Sequence, residues 1–188
     1  MTTKRIYFDS CCFIELALDA TSGKLAEGGK FVWYLRTLLR AARDKQVTVV
    51  TSMFTLAECV SANGTIDERV QQLFRSLLGS GSSGVTPWQM DIFVLDRARD
   101  LRWKHSVNLR PADSVHVATA LESRCDEFLT WDGANTQARR SIMKAATTLA
   151  GFALTVCVPS DTKCIPDEYR QQQLAVIQGG KPDEARRR

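Results

Sequence analysis

Four acidic residues stand where a reacting site would need them. Asp9 directly follows the apolar run "RIYF", Asp132 directly follows "FLTW", and Glu58 lies in the second turn of a helical stretch that begins where "VTVVTS" ends. Asp113 sits in the first turn of "PADSVHVATAL", at the end of a helix whose dipole favours negative charge. Each of the three aspartates also fits an ordinary use: Asp9 as a helix cap, Asp132 as the start of the turn "WDGAN", Asp113 as a first-turn acid. Glu58 is harder to explain that way. Its neighbours Met53, Phe54, Leu56, Ala57, Cys59 and Val60 are nearly all apolar, and a carboxylate among them needs a partner or an ion. If the four converge, their repulsion and lost hydration call for a cation. Oxygen ligands without a supporting His or Cys set favour Mg²⁺ or Mn²⁺ over Zn²⁺, and such sites most often hydrolyse phosphodiesters through metal-activated water.

Convergence requires strands that end together, because ligands of open parallel sheets bind beyond the strands' carboxyl ends. "RIYFD", "QVTVVTS", "EFLTWD" and "FALTVCVP" carry the apolar, β-branched and aromatic character of strands. Helical spacing runs through "SCCFIELALDA", "FVWYLRTLLRAARDK", "MFTLAECVSA" with Ser52 as its N-cap and Asn63-Gly64 at its end, and "TIDERVQQLFRSLLG" closed by Gly79. "VTPWQMDIFVLDRARDLRWKH" and "RPADSVHVATALESR" read as helices with Pro87 and Pro111 in their first turns, and "NTQARRSIMKAATTLAG" as one ending at Gly151. "TSGKLAEGGK" and "SGSSG" are loops, and no internal repeat is present. Strands alternating with helices predict an α/β domain with a mostly parallel central sheet.

At 188 residues the chain lies near the prior of roughly 150 residues per domain, so one domain is expected. With 44% hydrophobic and 24% charged residues, 11 Gly and 5 Pro, it is excluded from the collagen-like, low-complexity and wholly disordered classes. The net charge of +4 permits a polyanionic partner without demanding one. No apolar run approaches the ~20 residues of a membrane helix, so no membrane partner is expected and the cytoplasm is the expected location. Of the six cysteines, Cys11, Cys12, Cys59 and Cys125 lie in apolar stretches without a C-x-x-C, which predicts reduced, buried thiols. His116, one turn after Asp113 among apolar residues, reads as a hydrogen-bonded structural histidine, and His105 as surface, so a Ser-His-Asp or Cys-His mechanism has little support. "GSGSSG" lacks the Lys-Ser/Thr ending of a P-loop. Arg36, Arg40 and Arg43, and the later Arg97, Arg99, Arg102 and Lys104, could track a nucleic-acid backbone, but interleaved Asp91, Asp96 and Asp100 make the second set a solvated face. Trp33, Trp88 and Trp103 read as core or interface; Trp131, beside Asp132, is the aromatic nearest the acids.

The pieces "YFDSCCFIEL", "TSMFTLAEC", "LRPADSVHVATAL" and "EFLTWD", in that order, resemble the PIN-domain ribonucleases, in particular the toxins of VapBC-type toxin-antitoxin modules. The resemblance spans residues 4 to 132, and the last helix and strand fit through about residue 158. It implies a PIN-like three-layer α/β/α fold over residues 1–160; the C-terminal extension over 161–188 ends in the polar, charged "QGGKPDEARRR" and is expected to be partly disordered. The resemblance carries over Asp9, Glu58, Asp113 and Asp132 as the catalytic, metal-binding acids, with Mg²⁺ or Mn²⁺ as cofactor and Ser10 and Thr130 as accessory hydroxyls. Where some relatives have a further acid, this chain has Asn135, a neutral ligand at best. The implied activity is endoribonuclease cleavage giving 5′-phosphate and 3′-hydroxyl ends, with RNA as substrate, an antitoxin protein as partner and a homodimer as the common assembly. Two alternatives stay open: a PIN nuclease with an RNA-processing or DNA role and no antitoxin, and a non-catalytic RNA-binding or scaffold module. An Asp-x-Asp phosphatase is disfavoured, since Cys11 stands where its second Asp would be.

Overall fold

The computed structural model describes residues 3–22, 29–59, 68–79, 83–133 and 140–170. Five strands, β1 (Lys4–Phe8), β2 (Val47–Ser52), β3 (Val85–Trp88), β4 (Glu127–Leu129) and β5 (Thr155–Cys157), form one sheet. Their order is β3-β2-β1-β4-β5, and every pairing is parallel. Parallel neighbours need crossovers, which the helices supply: α1 (Ser10–Ser22), α2 (Val32–Arg43), α3 (Thr55–Glu58), α4 (Glu68–Phe74), α5 (Ile92–Trp103), α6 (Pro111–Glu122) and α7 (Ile142–Ala150).

β1 sits in the middle, covered on both faces, which is why its sequence is an apolar run without alternation. The pleat sends Ile6 and Phe8 to one face, where they join Phe13 and Leu16 of α1 and Leu35, Leu38 and Leu39 of α2. Tyr7 goes to the other face with Phe128, Val94 and Leu101 of α5, Val117 of α6, and Ile142 and Leu149 of α7. Two apolar cores with a sheet between them make the expected three-layer α/β/α architecture. None of the helices among the described residues is long and apolar enough to cross a membrane.

Three details depart from the sequence expectation. "VTPW" is not the start of a helix but strand β3, and α5 begins at Ile92, capped by the Asp91 carboxylate accepting from Val94 N–H at 3.0 Å. Pro87 is tolerated because β3 is an edge strand with only one paired side. The Glu-bearing helix is a single described turn, 55–58, though the Ser52 hydroxyl does accept at its start, from Phe54 N–H at 3.1 Å. The last helix starts at Ile142 behind an N-cap at Ser141, whose hydroxyl accepts from Lys144 N–H at 3.3 Å. Asn63-Gly64, Asn135 and residues 171–188 lie outside the described residues. Within 161–170, Ile165 and Tyr169 are buried in the α1/α2 core, Thr162 donates to the Glu127 carboxylate at 2.5 Å, and the Tyr169 hydroxyl donates to Asp44 at 2.5 Å. All six cysteines are free, and Cys12, Cys59, Cys125 and Cys164 are buried.

Candidate active site

The strand order reverses at β1: from there the chain builds outward to β2 and β3 on one side and to β4 and β5 on the other. A crevice opens at such a switch point beyond the carboxyl ends of the two central strands. Asp9 leaves β1 and Asp132 leaves the chain after β4 at this crevice, while Glu58 reaches it from α3 and Asp113 from the first turn of α6. All four acids line one cavity of about 390 Å³, together with Ser10, Cys11, Ile14, Arg110, His116 and Trp131.

Asp9 is buried, and its two oxygens are fixed separately. Oδ1 accepts from its neighbour Ser10 N–H at 2.8 Å, and Oδ2 accepts from the Thr130 hydroxyl at 2.7 Å. The Thr130 oxygen in turn accepts from Asp132 N–H at 3.1 Å, so one hydroxyl ties the two acids that end β1 and β4. Burial raises the Asp9 pKa, an effect that the charge of His116 and these hydrogen bonds only partly offset. The expected hydroxyl neighbours are therefore close to the acids; the Ser10 hydroxyl itself is only 3.5 Å from Asp9 Oδ1.

Asp113 is half-buried, and its Oδ2 is shut off from solvent with no hydrogen-bond partner among the described residues. Its carboxyl is pushed up first by burial and then by the negative charges of Asp9 and Asp132, against a smaller opposing pull from Arg110. Glu58 behaves differently. Burial pushes it up, but His116 Nε2 lies 2.5 Å from its Oε2 and outweighs that, holding Glu58 below the usual carboxylate range. His116 is the mirror case: burial disfavours its charge, and the Glu58 hydrogen bond together with Asp9 and Asp113 raises its pKa overall. Sequence reasoning placed His116 as a structural histidine; it is hydrogen-bonded, and its bonds run into the site. The one signal available was its position a helical turn after Asp113, on the same face.

Trp131 lines the cavity and leans on the buried Phe31, ring centres 5.2 Å apart. The basic stripes do not reach this cavity. Arg36 pairs with Asp19, Arg97 with Glu122 at 2.8 Å, Arg99 with Asp96 at 3.0 Å and Lys104 with Asp100 at 2.7 Å. Among the described residues, the cation that does line it is Arg110, the residue before α6, which the motif "LRPAD" contains but which its residue type alone did not single out.

Among the described residues, no three His, Cys, Asp or Glu side chains stand close enough to form a ready-made metal cage. The donor set nevertheless fits a hard divalent cation. It is made of carboxylate oxygens, with Asp9 and Asp113 pushed up first by burial and further by neighbouring carboxylates, and it includes the buried Asp113 Oδ2, which has no donor among the described residues.

The family model of the PIN domain matches residues 30–139, more than half of the chain and inclusive of Glu58, Asp113 and Asp132. PIN domains are generally metal-dependent nucleases. No curated protein matches the chain. Among solved structures, the chain is similar to one titled "Crystal Structure of FitAcB from Neisseria gonorrhoeae", at 16% sequence identity and a TM-score of 0.47, covering 84% of this chain and 99% of that one.

Proposed function

The chain belongs to the PIN domain family, and from that premise we propose that it is a Mg²⁺- or Mn²⁺-dependent endoribonuclease, the toxin of a VapBC-type pair, acting in the cytoplasm and held in check by an antitoxin protein. The observation that carries the nuclease reading is the meeting of Asp9, Glu58, Asp113 and Asp132 in one cavity at the sheet's switch point, with Asp113 Oδ2 lacking a donor among the described residues. The toxin reading is supported by the four motif pieces standing in order along the chain, and homodimer formation goes with it.

Asp9, Glu58, Asp113 and Asp132 would hold the cation, which supplies Lewis acidity toward a phosphodiester oxygen and toward water. The protein's own contribution is orientation. Thr130 and the Ser10 N–H fix both oxygens of Asp9, and His116 fixes one oxygen of Glu58. Arg110 offers a guanidinium toward a phosphate entering an otherwise acidic cavity, and Trp131 gives that cavity an aromatic wall on which a base can rest.

End chemistry tests the reading. Single-stranded RNA incubated with the purified chain and Mg²⁺ or Mn²⁺ should give fragments that RNA ligase joins without prior phosphorylation, and EDTA should stop the cutting. Cutting that persists in EDTA, or fragments with 5′-hydroxyl ends, would contradict the metal-water mechanism. Induced expression should arrest growth, with relief by Asp113→Asn; growth unaffected by the active chain would contradict the toxin reading alone.

A further inference from the structure

Glu58 sits on a helix of four residues, which gives it little rigidity of its own. Its setting comes instead from a relay across three elements. Ser52 N–H, at the end of β2, donates to the Tyr7 hydroxyl oxygen at 2.9 Å. That leaves the Tyr7 hydrogen free to point at His116 Nδ1, 2.7 Å away, an arrangement that in the neutral ring puts the proton on Nε2, 2.5 Å from Glu58 Oε2. Tyr7 is fully buried against Phe128, stacked at 4.6 Å, and His116 is buried beside Phe54, so neither link has room to swing.

We infer that His116, held by Tyr7, is the positioning residue that ties down Glu58 Oε2 and leaves Oε1 as the oxygen a divalent cation meets. The inference rests on the reading of Glu58 as a metal ligand. Histidines and carboxylates that orient a ligand from behind typically govern metal affinity as well as geometry. Sheet and site are thereby linked: the register that pairs Tyr7 with Val50 puts Ser52 N–H, two residues on, within reach of the Tyr7 hydroxyl, and so sets where the α3 carboxylate points.

Two replacements of His116 separate orientation from packing. Glutamine places an amide donor near the position of Nε2 and can still reach Glu58; asparagine places one near Nδ1 and cannot. Calorimetric titration of the folded variants with Mn²⁺ should show His116→Asn weakened by about 10–100-fold and His116→Gln by much less, about threefold. Thermal melts of each variant, run alongside, identify losses that come from unfolding. Equal Mn²⁺ affinity in all three proteins, or an equal loss in both variants, would overturn the proposal. The ¹⁵N spectrum of the wild-type imidazole, recorded without metal, gives a second check if a variant fails to fold. A downfield Nε2 proton that disappears in Glu58→Gln is expected, and a ring protonated on Nδ1 alone would overturn the relay. If wild type binds no Mn²⁺ while that Nε2 proton is present, the metal reading of the site fails, and with it this role for a relay that still exists.

Discussion

Replacing Asp113 with Asn removes a charge that burial, Asp9 and Asp132 all disfavour, so the metal-free variant should melt no lower than wild type, and higher if repulsion dominates, while cleavage falls by at least about 100-fold. Thermal melts in EDTA beside a cleavage assay check both halves. Thr130→Val keeps the side chain's shape but drops the hydroxyl that joins Asp9 to Asp132, and should cost about tenfold in cleavage rate. The pH dependence has a definite sign. His116 has its pKa raised above 6.5, so its contribution to stability is complete below that value and is lost as pH rises through the raised pKa. Asp9 and Asp113, also raised, act in the same direction from a lower starting point of 3.8. In EDTA the wild-type melting temperature should therefore fall as pH rises above 6.5, and the fall should be shallower in His116→Gln; a flat or rising wild-type profile would contradict this. At this scale the sequence was most readable where a residue's neighbours made it anomalous. Glu58 stood out among apolar residues, and its partner was His116. That pairing joins positions 58 residues apart, so local spacing held no trace of it.

Elements were legible where period and burial agree, as in β1, β2, α2 and α6, whose apolar patterns match their packing. β3 was missed because Pro87 reads as a helix start, and nothing local marks "VTPW" as the edge of a sheet. The true start of α5 is set by the Asp91 cap. Asp91→Ala should destabilise the protein by about 1 kcal/mol, read as a lowered midpoint in thermal or urea melts, with little effect on cleavage because α5 contributes no residue to the cavity. An unchanged midpoint would mean the cap is not where α5 gains its stability. The short α3 has a comparable explanation: the Thr55 and Thr51 hydroxyls meet at 2.8 Å, tying the turn to β2 while the helix stops at Glu58.

Across the whole molecule, the alternation of strands and helices was enough to predict a parallel α/β fold, and placing acids after strands was enough to predict one crevice. The strand order was not readable, and with it the fact that β1 and β4 are neighbours, because order depends on which crossover packs on which face. Within the expected C-terminal extension, residues 162–170 lie against the fold: Thr162 and Lys163 N–H hold Glu127, and Ile165 and Tyr169 fill the α1/α2 core. A chain ended at residue 160 should lose several kcal/mol of stability through those two buried side chains, read as a melting temperature below that of the full chain. The most direct test of the central claim is cleavage of end-labelled single-stranded RNA with Mg²⁺, Mn²⁺ or EDTA by wild type, Asp9→Asn and Asp113→Asn, each verified as folded. Metal-dependent cutting by wild type that both substitutions abolish is the predicted result. Equal trace cutting in all three proteins, or RNA binding by wild type without any cutting, would contradict a catalytic site built on these carboxylates.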